Sequence, residues 1–410
     1  MQDNSGPLAG IRVIELAHVM AGPVCGLMLA DMGADVIKVE KLPGGDDTRR
    51  FLPPDIKGES AAYMMMNRNK RGIAVDLKNP DGRACVTDML KTADVVIENY
   101  RAGTMERLGL GYQALQEINP GLIYCEISGF GRTGPYKDRG GYDLIAQGMS
   151  GLMSITGEGP GRDLVKVGAP VTDITAGILA ATGVLAAYIH RLKTGYGQRV
   201  DTSLFEAGIT HTYWQSAIAF ATGKAPGPLG SAHPLNAPYQ AFETADGWIT
   251  VGAANQANWL RLLDVLARPD LAADARYTDS RARMDNLSSL SQTLAEIFKT
   301  RGKEDWLARL EQAGVPAGPV LDVLEMQADP HALARQMIVE VDHDTAGTVK
   351  TLGCPIKFSE TPASVRSAAP VYGQHTRAVL GEYGYDGPAI ARLIRSGAVV
   401  CHEKDSQSID

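Results

Sequence analysis

A chain of 410 residues has room for one large domain or two, and a net charge of −7 argues against a general binder of nucleic acid or membrane surface. Hydrophobic residues make up 44% and charged residues 21%, the balance of a soluble globular protein and not of a disordered or membrane chain. Glycine is in excess (45 residues, about 11% against a usual ~7%) without the three-residue period of collagen, so it marks tight turns and close backbone approaches. The five cysteines, Cys25, Cys85, Cys125, Cys354 and Cys401, are scattered, with no ligand or disulfide spacing, so no metal site is expected. Residues 1–9 lack a basic start and apolar run, and the apolar stretch Ile174 to Ile189 is short for a bilayer span. The expectation is a cytoplasmic protein with no membrane partner.

The first 130 residues alternate strand and helix signals. Ile11–Leu16, Asp35–Glu40, Ile73–Asp76, Asp94–Glu98 and Leu122–Ile127 read as strands, with helical stretches at Pro23–Met32 and Pro80–Thr92. Crossovers of this kind imply a parallel, doubly wound α/β sheet, whose ligands lie beyond the carboxyl ends of the strands. Residues 128–172 are a Gly-rich stretch of the kind that is functional or disordered. A long helix rich in small residues starts at Thr172-Asp173 and stops at Gly195; its small residues predict close packing on other backbone, with His190 in the core. Residues 223–238 hold four Pro and three Gly and read as a linker. Beyond them come a hairpin at Tyr239–Gly252 and helices at Asn258–Leu266, Leu287–Phe298 and Lys303–Glu311. Short strands and loops are expected after Gly314, and a frayed polar tail at 404–410. The domain division is 1–222, linker 223–238, a small domain 239–328, and a return to the large domain at 329–410.

Familiar catalytic signatures are missing: there is no G-x-G-x-x-G after the first strand, no Walker A run, no HExxH and no GxSxG. Two basic runs stand out, Thr48-Arg49-Arg50 and Asn67-Arg68-Asn69-Lys70-Arg71, each read either as a solvated face or as a phosphate site. Asp173 is placed to cap its helix. The helix N-terminus favours the charged carboxylate, so Asp173 is expected to be ionised at neutral pH and usable as a nucleophile.

Several long motifs resemble the class III CoA-transferase family, which includes formyl-CoA and carnitine CoA-transferases. They are LAGIRVIELAHVMAGP at 8–23, GADVIKVEKLPGGDDTR at 33–49, NRNKRGIAVDLKNPDGR at 67–83, DVVIENYRAGTMERLG at 94–109, GPYKDRGGYDLIAQGMSGLMSITG at 134–157 and GAPVTDITAG at 168–177. The resemblance implies a Rossmann-like large domain from both chain ends, a smaller middle domain, and an interlocked homodimer. It implies that Asp173 is the nucleophile, passing through an aspartyl anhydride and an aspartyl-CoA thioester, with Tyr142 and Asp143 beside it. Coenzyme A and its acyl thioester are then substrates, with no tightly bound cofactor, no ATP and no metal. His18, Val19, Met20, Ala21, Lys41, Val75 to Lys78, Asn99, Tyr100, Arg101 and Arg107 match CoA-contacting positions, and Arg71 belongs to a basic run suited to CoA phosphates. The family's active-site glycine loop maps to Gly252-Ala253-Ala254-Asn255, of which only the first residue is Gly.

Within the superfamily the competitor is a 2-methylacyl-CoA racemase, whose Gly-His-Asp triplet is here Gly141-Tyr142-Asp143. A tyrosine with pKa near ~10 is a poor base at pH 7, which favours the transferase. A CoA-binding protein without catalysis is the alternative from another class. The stretches SGLMSITGE, GSAHPLNAPYQAF and GVPAGPV resemble the branch that moves CoA between dicarboxylates, such as succinyl-CoA with glutarate or hydroxymethylglutarate. A distal carboxylate calls for a cation, and Arg132, Arg162 and Lys166 are the candidates.

Overall fold

The structure, a computed structural model, describes residues 5–402; the tail expected at 404–410 lies outside the described residues. Contacts divide the chain into two compact units, one of Met1–Ser150, Gly168–His211 and Pro330–Asp410, the other of Gly151–Val167 and Thr212–Asp329. The Gly/Pro-rich stretch 223–238 lies within the second.

The first unit is built on six parallel strands: β1 (Arg12–Leu16), β2 (Asp35–Glu40), β3 (Lys70–Val75), β4 (Val95–Glu98), β5 (Ile123–Ser128) and β6 (Arg199–Ser203). Their order is 3-2-1-4-5-6, with the two-residue strand Val399–Val400 antiparallel to β3 at one edge. This is the doubly wound order, and its reversal lies between β1 and β4, where a ligand crevice forms. Successive residues of each strand face opposite sides of the sheet. Val13, Val36, Ile97 and Ile123 pack under α1 (Ala21–Asp31). Ile14, Ile37, Ile73 and Val96 pack on the other face with Cys85, Val86 and Met89 of α2 (Pro80–Leu90). Both faces are covered, which is why the strands read as almost continuous apolar runs.

Most expected boundaries shift by one or two residues. The strand expected at Ile73 begins at Lys70, because Lys70 and Arg71 find carboxylate partners and their charges do not end the strand. Two helices, Thr376–Glu382 and Gly387–Arg395, occupy a region expected to hold only short strands and loops; Val379, Leu380, Ile390 and Leu393 complete the second core.

The short helix α3 (Asp143–Met149) precedes the long α4 (Val171–Thr194), which Gly195 ends at φ +80° with its N–H on the Arg191 carbonyl. By length and hydropathy α4 passes as a bilayer span, but one such helix is weak evidence. Its small residues Ala176, Ala180, Ala181 and Ala187 are core residues packed with α1 and β5, as the sequence predicted. Its other side carries exposed Ile189 and Leu192, and His190 is exposed rather than in the core.

The second unit has an antiparallel sheet of Tyr239–Glu243, Trp248–Gly252 and Ala317–Pro319, with Trp248–Gly252 central. Helices Gln256–Leu266, Leu287–Phe298 and Lys303–Gln312 cover it. Phe242 stacks on Phe298 at 4.7 Å, and the Trp306 indole donates to the Phe298 carbonyl, so this unit has its own core.

Candidate active site

The loop after β1 and the loop after β4 meet at the reversal of strand order. His18 N–H donates to Asn99 Oδ1 (2.9 Å), and Asn99 Nδ2 returns a bond to the His18 carbonyl (2.8 Å), so one amide side chain grips a backbone unit from both sides. His18 Nε2 lies 3.2 Å from the Tyr100 hydroxyl. Burial, and next the Lys38 ammonium, lower the His18 pKa to about 4, so its imidazole is neutral at physiological pH. Burial likewise holds the Tyr100 phenol protonated.

Beneath this loop lies a set of charges that the sequence reading missed. Lys38 Nζ is 2.9 Å from Glu15 Oε1, from Asp46 Oδ2 and from the Ala17 carbonyl, and all three side chains are fully buried. Lys70 Nζ, also buried, reaches Glu15 Oε2 and the Pro23 carbonyl at 2.8 Å. Two carboxylates and two ammonium groups balance, which is the condition for burying charge. The signal was a charge inside each of the apolar strands RVIEL and DVIKVE, where Glu15 pairs in register with Lys38.

Asp173 is the third residue of α4, and Pro170, not Asp173, stands at the N-cap; the carboxylate makes no side-chain cap bond. The backbone N–H that favours its charged form is that of Ala21, the first residue of α1. Such an approach needs the two helices nearly in contact, and a Cβ on Gly177 would lie 2.7 Å from the Ala21 carbonyl oxygen. The expectation that Asp173 is ionised at neutral pH holds only in part. Burial, and next the Asp143 carboxylate, raise its pKa to about 7 against the single N–H that favours the charge. The helix end that was to stabilise the charge is instead capped by Asp143, whose Oδ1 accepts from Thr172 N–H (3.0 Å) and Oγ1 (2.7 Å). Asp143 is itself placed by Gly141, whose backbone packs on Gly129 so closely that a Cβ on either would overlap the other. Tyr142, beside it, is 74% exposed.

His18, Val19, Met20, Asn99 and Tyr100 thus meet at the reversal of strand order, and Ala21 of the same segment packs on the start of α4, which carries Asp173 and is capped by Asp143. Arg101 is exposed and lines a cavity of about 200 Å³ with Glu98, Glu126, Arg132, Lys137 and Arg199. Arg107 is exposed beside it, bonded to Thr104 Oγ1. Lys41, paired with Asp47, follows β2; Val75 ends β3 with its side chain in the core, and Lys78 is exposed just beyond. Arg71 is not gathered with them: it is the second residue of β3, near the amino end of that strand, bonded to Asp35 and Glu382.

Neither reading of the basic runs survives whole. Arg49 forms two bonds to buried Glu40, and Arg68 is buried on Asp31, so these cations are internal partners of carboxylates rather than a solvated face or a free phosphate site. Arg132 is likewise committed. Its Nη2 donates to Glu98 Oε1 (2.6 Å) and to the Tyr100 carbonyl (3.0 Å). Arg162 and Lys166 are exposed in the second unit, where Asn255 of the Gly252–Asn255 loop N-caps helix Gln256–Leu266.

Residues 8–376 match the family described as CoA-transferase family III. The succinate–glutarate CoA-transferase of Agrobacterium fabrum is 42% identical over 388 residues, covering 93% of this chain and 97% of that protein. The human succinyl-CoA:glutarate CoA-transferase is 37% identical over 402 residues, covering 98% and 92%. A crystal structure of a CAIB/BAIF family protein from Brucella suis superposes with a TM-score of 0.83 at 40% identity, covering 92% of this chain and all of that one. With a doubly wound sheet, two loops pinned at its reversal and an aspartate facing a helix N-terminus, the chain is a CoA-transferase and belongs to CoA-transferase family III.

Proposed function

We propose that this CoA-transferase moves CoA from succinyl-CoA to a dicarboxylic acid with Asp173 as its nucleophile. The observation that carries the assignment is Asp173 in the first turn of α4, where that helix packs against the start of α1 at Ala21. The carboxylate attacks the thioester carbonyl and expels CoA thiolate, leaving an aspartyl–acyl anhydride. The thiolate attacks the aspartyl carbonyl, releasing the donor acid and leaving an aspartyl-CoA thioester. The acceptor carboxylate attacks that thioester, and the expelled thiolate then takes the acceptor's acyl group from the new anhydride. Thioester energy is conserved throughout. Burial makes Asp173 a poorer resting anion and thereby a better nucleophile once ionised, while the Ala21 N–H is placed for the negative oxygen that forms at the attacked aspartyl carbonyl. Neutral His18, Asn99 and the backbone of residues 18–21 are proposed to hold the CoA thioester arm; Lys41, Val75, Lys78, Tyr100, Arg101 and Arg107 would hold the rest of CoA. The substrate assignment rests on the similarity to the succinate–glutarate and succinyl-CoA:glutarate CoA-transferases.

Assaying succinyl-CoA against a panel of free acids tests this: glutarate-like dicarboxylates are expected to turn over and monocarboxylates to fail. Activity confined to monocarboxylates rejects the substrate class, and exchange of the α-proton without transfer rejects the reaction.

The reaction also predicts a pH profile. An attacking carboxylate with pKa about 7 gives kcat/KM an acidic limb near neutrality, with rate rising as pH rises. Asp143→Asn keeps an oxygen for Thr172 N–H but removes the like charge, so the limb is expected to move to lower pH. A limb left in place would separate Asp143 from the titration.

The protein is further proposed to act in the cytoplasm as an interlocked homodimer. Phe220 (89% exposed) on helix Tyr213–Thr222 and Leu192 (70%) on α4 are apolar side chains that a second copy would cover. Light scattering is expected to give twice the 43.7 kDa chain mass, and a monomer at assay concentration would reject this.

A further inference from the structure

Val19 carries a backbone conformation that its side chain resists. Its φ is +64°, in the left-handed region, where a β-branched residue is a genuine outlier and persists only if its surroundings enforce it. The enforcing contact is visible. Val19 N–H points between the two oxygens of Asp46, 3.2 Å from each. Asp46 is fully buried and held from three directions, by Lys38 Nζ at 2.9 Å, by Thr48 N–H at 2.9 Å and by Thr48 Oγ1 at 2.8 Å. The next residue, Met20, is the N-cap of α1, and the residue after it is Ala21, whose backbone lies so close to the Asp173 helix that a Cβ on Gly177 would come within 2.7 Å of its carbonyl oxygen, and whose N–H favours the Asp173 carboxylate. Lys38 also fixes the Ala17 carbonyl, and Lys70 the Pro23 carbonyl, so the segment is held at both ends as well as at the strained point between them.

We propose that Asp46, oriented by Lys38 and Thr48, is a positioning residue for CoA transfer: it locks Val19 in the left-handed conformation and so aims the Ala21 N–H at the Asp173 carboxyl. Asp46 touches no reacting atom; it acts through two residues of backbone. The proposal rests on the reading of Asp173 as the nucleophile. It goes beyond that reading by assigning the geometry of the nucleophile's hydrogen-bond donor to a buried ion pair behind the loop.

A double-mutant cycle tests it, because glycine adopts positive φ without strain. Acylation of Asp173 by succinyl-CoA is followed in a single turnover on the full-length protein, with hydroxylamine trapping and mass spectrometry to locate the adduct. In the Val19 background, Asp46→Asn is expected to slow acylation about tenfold or more, the scale on which small misplacements of reacting groups act. In the Val19→Gly background the same substitution is expected to cost no more than about threefold, since the loop no longer depends on the carboxylate. Equal losses in both backgrounds, or no loss in a folded Asp46→Asn protein, overturn the proposal. Should Asp46→Asn not fold, Thr48→Val keeps every buried charge and removes one bond that orients Asp46. It is expected to slow acylation in the Val19 background and not in the glycine one, and the same equality overturns the idea. A wild-type protein with no adduct on Asp173 defeats the nucleophile reading itself, whereas an adduct on Asp173 with equal losses defeats the positioning role alone.

Discussion

Asp173→Asn is expected to lower turnover by at least about 10³-fold, the scale seen when a nucleophile is removed and binding is left intact. An amide cannot form the anhydride, while the loops at 18–21 and 99–101, proposed to hold CoA, are untouched, so CoA affinity should stay close to wild type. The same substitution should make the ligand-free protein more stable in alkali. Burial and Asp143 raise the folded-state pKa of Asp173 from 3.8 to about 7. Between those values the folded protein keeps a proton that the unfolded chain has released, so this group's contribution to stability falls as pH rises from about 4 through about 7. Above 7 the wild type carries the whole cost of an ionised carboxylate beside Asp143; asparagine carries none. Part of the carboxylate sees water, which reduces that cost to the order of 1 kcal/mol. Melting curves at pH 8 and pH 4 should therefore show a more stable variant at pH 8 and near equality at pH 4. Turnover within tenfold of wild type would falsify the nucleophile assignment, and a variant less stable at pH 8 would remove its electrostatic basis.

Much of this was legible in sequence, and what was not has a common cause. The parallel sheet could be read from Asp35–Glu40, Asp94–Glu98 and Leu122–Ile127 because strands buried on both faces are apolar at every position, a local signal. The position of Asp173 at a helix start was equally local. Its protonation was not, because it depends on burial in the folded chain and next on Asp143, thirty residues earlier, whose loop must first settle on Gly129. The basic runs misled for the same reason. Arg49, Arg68 and Lys70 look like free cations in sequence, and only the folded chain sets Glu40, Asp31 and Glu15 against them. Charges inside apolar strands, Glu15 and Lys38, were the available hint that carboxylates and cations would pair across strands, but which ones pair depends on register between strands some twenty residues apart.

Arg132 is the case in which that pairing has the largest consequence for stability. Its side chain is 9% exposed and bonds Glu98, itself 2% exposed, while Glu126 lies 3.5 Å from its Nε and also pairs with Arg199. Burial raises the Glu98 pKa to about 7 even with Arg132 beside it. Arg132→Met leaves a buried carboxylate without its cation, and breaking a buried pair from one side costs about 3–5 kcal/mol. The cost should depend on pH in a definite direction. Without the guanidinium the folded pKa of Glu98 rises further above its unfolded value of 4.5, so the folded variant must hold a proton that the unfolded chain gives up. The part of the loss that titrates with Glu98 is expected to reach about 1.4 kcal/mol at pH 8, one unit above the wild-type folded value; near pH 5.5, where Glu98 is already largely protonated in the wild type, that part should vanish. Adding Glu98→Gln should recover much of the loss at pH 8, because a neutral pair leaves no orphaned charge. Denaturant unfolding of the single and double variants at the two pH values checks this, and a penalty equal at both would assign the loss to packing alone. Because the Arg132 guanidinium also holds the Tyr100 carbonyl, its loss should loosen the loop after β4 that carries Asn99 and Arg101. The guanidinium that looked in sequence like a receptor for a substrate carboxylate has, in the fold, the protein's own carboxylates as its ligands.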